Sequence, residues 1–218
     1  TYVVLSGLNE NMPAAVQLFE KLLADAQVNK EAYTNMTSDI LKARSDAKLN
    51  QGQNFSRLMS FAMYGPKSPA TNLLTEAELT NMNPQELVDR IHNQNSYKHR
   101  ILYYGPASGK ELLAIINKNH QTPKKLKEIP AGNEFPRLET PTTQILIAPY
   151  EAKQIYMTQL SNRGDKFDPM IEPSRQMYNE YFGGGMNSIV FQEMRETRGL
   201  AYSAWAGIMP PSYLKYPY

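Results

Sequence analysis

The sequence predicts an α+β fold, in which helices with one apolar face cover strands. Three observations carry this expectation. Apolar residues recur at helical spacing in several stretches, the first being Met12, Ala15, Val16, Phe19, Leu22, Leu23 and Ala26. Other stretches, residues 97–104 above all, are aromatic, β-branched and alternating. The two kinds of segment follow one another along the chain, so that each helical face has strands at hand to cover.

Taken in order, residues 1–5 read as a strand closed by the Ser6-Gly7 turn. Asn9 or Asn11 can then cap a helix that tolerates Pro13 in its first turn. A second helix follows Asn29, with Tyr33, Met36, Ile40 and Leu41 inward. A third carries Phe55, Leu58, Met59, Ala62 and Met63, and stops at Gly65-Pro66. Residues 66–74 form a loop. Asn83 and Pro84 open another helix, whose buried face is Leu87, Val88 and Ile91. Residues 97–104 are a strand, and Ser108 caps a helix carrying Leu112, Leu113, Ile115 and Ile116. Residues 121–143 are rich in proline and basic side chains with little periodicity, and read as a linker between units 1–120 and 144–218. In the second unit, strands are expected at 144–148 and 154–160, helices at 174–182 and 187–196, and a last strand from Ala201 to about Ile208. The opening strand is already under way at Thr1 and no closing element follows Tyr216-Pro217-Tyr218, so the chain reads as a fragment.

Composition narrows the function. A 218-residue chain with 41% apolar and 20% charged residues has the make-up of an ordinary globular protein. A net charge of +2, with both signs interleaved, gives no basic face for nucleic acid. No apolar run approaches the length of a membrane span. Absence of cysteine removes disulfides, thiol nucleophiles and thiolate metal sites together.

Several signals fail on inspection. Gly105, Gly109 and Lys110 resemble a phosphate loop, but the glycines are one residue too close and Glu111 stands where Ser or Thr should hold magnesium. The histidines, His92, His99 and His120, have no Asp or Glu at ligand spacing, so no metal site is expected within this chain. Arg163-Gly164-Asp165 reads as a polar turn.

The informative stretch runs from Tyr181 to Ser203. Gly183, Gly184 and Gly185 let two helix ends approach closely, and Asn187 or Ser188 caps the second helix. Val190, Phe191 and Met194 form its buried face, and Gly199 ends it before a strand that starts at Leu200. A tight turn there can bring Arg195 and Tyr202 to one side, where a guanidinium and a phenol form a pair of donors suited to a carbonyl or a developing oxyanion. The same spacing also fits an Arg195 that merely complements the helix dipole and a Tyr202 that fills a sheet face.

This stretch, with its glycine-rich turn, Phe191-Gln192-Glu193, Arg195-Glu196 and Arg198-Gly199-Leu200-Ala201-Tyr202, resembles the signature of the second domain in each half of the insulinase/pitrilysin family of zinc metallopeptidases. A looser likeness, at Leu5-Ser6-Gly7-Leu8, Tyr64-Gly65-Pro66 and residues 97–105, is to a Bacteroidetes-like member. The resemblance implies two-layer domains of antiparallel sheet and helix, of the insulinase and mitochondrial-processing-peptidase type, with 1–120 the later part of a third domain and 144–218 the beginning of a fourth. It implies a zinc ion held in the other half of the protein, on a His-x-x-Glu-His helix, and none held here. Arg195 and Tyr202 would contact the peptide substrate beside the scissile carbonyl as catalytic and substrate-binding residues, while Gly183, Gly184, Gly185 and Gly199 shape the motif and Arg198 serves structure. The implied partners are a peptide and the zinc-bearing N-terminal half or a partner chain. Exposed domain edges would allow a homodimer. The alternative is a non-catalytic core or partner subunit of the same fold. Analogy with bacterial members points to the periplasm.

Overall fold

Helices begin where side chains can satisfy the first free N–H groups, and the caps order this chain. The computed structural model describes residues 2–165 and 167–209. A 3-10 turn at Asn9–Asn11 leads into α1 (Met12–Ala24), which carries Pro13 in its first turn. Asn29 accepts the Ala32 N–H at 2.9 Å and opens α2 (Lys30–Lys48); Asn50 accepts the Gln53 N–H at 2.9 Å and opens α3 (Gln51–Tyr64). α4 (Glu76–Asn81) was not expected from periodicity. It is held by a reciprocal cap, in which Thr75 accepts the Glu78 N–H and Glu78 accepts the Thr75 N–H at 2.7 Å. Asn83 caps α5 (Pro84–His92), and a second 3-10 turn at Gln94–Ser96 follows. Ser108 and Glu111 form another reciprocal cap on α6 (Gly109–Asn119). α7 (Glu172–Phe182) comes next, then α8 (Ile189–Phe191), which continues as a π-helical turn over Gln192–Thr197.

The α+β expectation is overturned. Among the described residues the regular structure is helical, with no strand and no sheet, so the two-layer sheet-and-helix architecture is absent. The runs at 2–5, 98–104, 144–148, 154–160 and 201–208 have no ladder partners, and one isolated parallel bridge joins Tyr97 to Lys127. Alternation and β-branching describe a surface that would suit a sheet, but they cannot supply the neighbouring strand that stabilises it. Apolar residues in these runs face water instead: Leu102 is 85%, Ile145 82% and Ile155 87% exposed. Thr1 of the expected first strand and the expected open end at residues 216–218 lie outside the described residues.

The described chain divides into two compact units. The first comprises residues up to 61, then 65–135 and 148–154. In it α1 packs on α5 and α6, and α2 packs on α4. Val16, Leu79 and Val88 are its buried apolar residues. Polar ties reinforce the packing: Gln17 donates to Asn119 at 2.8 Å across α1 and α6, and the Tyr33 hydroxyl donates to the Leu79 carbonyl. Leu22, Met36 and Leu113, expected inward from their spacing, are exposed, whereas Thr37, beside Met36, is buried. The second unit comprises residues 62–64, 136–147 and those from 155 onward, and contains α7 and α8. Its loops are pinned by Leu138 N–H on the Met63 carbonyl at 2.8 Å and by Asn162, which donates to the Leu138 carbonyl and accepts from Gly164 N–H.

Candidate functional site

The site is assembled in the second unit by a cap, a close crossing and a glycine turn. Ser188 is 1% exposed and its hydroxyl accepts the Phe191 N–H, which starts α8. The helix widens to π geometry over Gln192–Thr197, the stretch that carries Arg195. Such widened turns are uncommon and gather at functional sites. Gly199 then reverses the chain with φ +59°, and its N–H and that of Leu200 bond the carbonyls of Arg195 and Met194 at 3.1 and 2.8 Å.

The reversal brings the two sequence-predicted side chains together. The Arg195 guanidinium carbon lies 4.7 Å from the centroid of the Tyr202 ring and 5.0 Å from that of Phe191. Two aromatic faces thus flank one cation. The expected strand at Tyr202 is not there; the pair meets across the Gly199 turn. Tyr202 is 85% exposed, so its hydroxyl is open to solvent and to any ligand. Arg195 also approaches Glu196 at 3.5 Å, while Arg198 is paired with Glu193 at 3.2 Å. Phe191 was read as a core residue. Its place four residues before Arg195, one helical turn away, was the signal that its ring could reach the guanidinium. Met194, also expected in the core, is 38% exposed.

The four motif glycines differ in what they do. A β-carbon on Gly183 would sit 2.1 Å from the Ala206 carbonyl oxygen, so the return segment crosses directly over that residue. One on Gly184 would lie 2.9 Å from the Asn179 carbonyl oxygen, and one on Gly185 would meet nothing. The return segment is held by α7 side chains in place of a strand. Asn179 accepts the Ile208 N–H at 2.8 Å and donates to its carbonyl at 3.0 Å, and Arg175 donates to the same carbonyl at 2.8 Å. Arg175 is oriented by Glu172, whose carboxyl is held below the usual carboxylate range by that hydrogen bond foremost.

Among the described residues no cluster of three or more His, Asp and Glu side chains could hold a metal ion. The residues present do not fit the zinc that the resemblance implies for the other half. No helix among them is long and apolar enough to cross a membrane.

Comparison with the curated proteins and with the solved structures returned no match. A family model described as the peptidase M16 inactive domain matches residues 100–214, more than half of the 218-residue chain and the whole of the stretch around Arg195 and Tyr202. The chain therefore belongs to the M16, insulinase-type, peptidase family, and this part of it is the family's inactive C-terminal domain.

Proposed function

We propose that this chain is the substrate-binding side of a two-part peptidase. It holds a peptide backbone, while hydrolysis takes place at a zinc ion carried by a separate N-terminal half or partner chain. The observation that carries the reading is the juxtaposition of Arg195 and Tyr202 on an exposed turn. The chain's own contribution is binding and orientation. Arg195, flanked by two rings, presents N–H donors from a guanidinium with few orientations left to lose, and Tyr202 presents an O–H donor. Both can donate to a substrate carbonyl. Donors already in place strengthen as that oxygen gains negative charge, which favours the transition state over the ground state.

The test is Tyr202→Phe in the assembled peptidase. The ring is kept, so the stack on Arg195 and the thermal stability should be unchanged, while kcat falls on the order of 10²-fold. Unchanged turnover would remove Tyr202 from the reaction. A second reading, a non-catalytic core or partner subunit, is favoured by the matched domain's being an inactive one. On that reading the assembled protein hydrolyses no peptide and Tyr202→Phe alters only binding.

A further inference from the structure

In the first unit, at the end of α6, one continuous row of hydrogen bonds runs through two histidines. Glu20 Oε1, on α1, faces His120 Nδ1 at 2.6 Å. His120 Nε2 faces His99 Nε2 at 2.8 Å, and His99 Nδ1 faces the Tyr97 carbonyl oxygen at 2.7 Å. The rings meet edge to face, with centroids 4.9 Å apart and planes at 86°. Glu20 Oε2 accepts from the Asn95 amide at 2.9 Å. The side chains of His120 and Glu20 are only 13% and 15% exposed.

Counting protons along this row fixes its charge state. Both ends are acceptors, a carbonyl oxygen and a carboxylate oxygen. Three bonds need three protons, yet two neutral imidazoles bring only two. The row is complete only with one proton more, on an imidazole or on Glu20, and either placement makes the set neutral as a whole. Without it, one contact of 2.6–2.8 Å has two lone pairs facing each other.

We propose that Glu20, His120 and His99 form a proton-bridged joint that fastens the 97–99 segment and the C-cap of α6 to α1, and that opens when the extra proton is withdrawn as pH rises. The surroundings leave the proton to these three groups. From the 94–96 turn comes the neutral Asn95 amide. Lys98 is paired with Glu128, and the Lys127 ammonium stands 5.6 Å from the Tyr97 ring centroid. Lys118 lies in the last turn of α6, and His92 on α5 is engaged with the Ala26 carbonyl at 3.0 Å. Groups joined this tightly titrate as one set. His120 is the residue that ends α6, so the joint also fixes where the chain leaves that helix.

The experiment is a long-range proton–nitrogen correlation spectrum of the full chain with ¹⁵N-labelled histidine, followed as pH is raised. His99 and His120 should share three nitrogen-bound protons, or two with a protonated Glu20 read from its carboxyl carbon. They should lose one together, with amide shifts at residues 97–99 and 120. His92 serves as the separate reference. In Glu20→Gln the new amide donates to His120 Nδ1 and its oxygen accepts from Asn95, so neutral rings complete all three bonds. The extra proton and its pH-linked shifts should then vanish while the folded spectrum is retained. Wild-type rings that titrate separately from one another, or a Glu20→Gln variant with the same shared titration, would overturn the joint.

Discussion

Gly183 has no space for a β-carbon, because the Ala206 carbonyl and amide occupy it at 2.1 and 2.5 Å. Gly185, two residues on, faces open space. The pair separates what looks alike in the sequence. Gly183→Ala should destabilise the second unit by at least ~2 kcal/mol, since backbone must move to admit a methyl group. Gly185→Ala should leave thermal unfolding unchanged within about 0.5 kcal/mol. Thermal melts of the two variants against the parent chain check both. Gly199→Ala falls between, at about 1 kcal/mol, because its positive φ strains any side chain. At this scale part of the site was legible: the spacing of Arg195 and Tyr202 about a glycine turn allowed them to meet, and they do, though it fitted a dipole-complementing Arg195 equally well. Phe191 was not, because an aromatic residue on a helix reads as core until the cation one turn away is considered.

Several helices were legible from a capping side chain, though the cap expected from Asn9 or Asn11 on α1 makes no side-chain capping bond. Asn29, Asn83, Ser108 and Ser188 each accept the N–H that their position foretold. α4 is the instructive omission. Its six residues are too few to show a period, and its evidence lies wholly in Thr75 and Glu78. Strands were misread for the opposite reason: their signal is local, but pairing joins residues far apart in sequence. The reciprocal caps carry a pH dependence of definite sign. Glu78 is held below the usual glutamate range by the Thr75 backbone and then its hydroxyl, and Glu111 by the Ser108 hydroxyl and then its backbone. A carboxyl depressed in the folded state contributes at neutral pH and loses its contribution as pH falls through that lowered value. Acid should therefore fray α4 and α6 at their N-termini while α2 and α3, capped by neutral Asn29 and Asn50, hold. Amide exchange resolved by helix, measured from neutral to acid pH, checks this order. Thr75→Ala should remove about 1 kcal/mol of local stability from α4 and weaken its acid dependence without abolishing it, because the backbone N–H at position 75 still reaches Glu78.

For the whole molecule, many large apolar side chains among the described residues stand exposed, at positions such as Tyr2, Leu102, Ile147 and Met157. Apolar surface on that scale is what association covers, and it accords with a chain that works against another half. On the proposed function, this chain contributes binding residues to a peptidase whose metal lies elsewhere. The decisive experiment is cleavage of a quenched peptide library by this chain alone, by the zinc-bearing half alone and by the two together, read by mass spectrometry. Cleavage is expected only when both are present, abolished by a chelator and strongly reduced by Tyr202→Phe in this chain. Cleavage by the zinc-bearing half at the same rate without this chain would refute the proposed role.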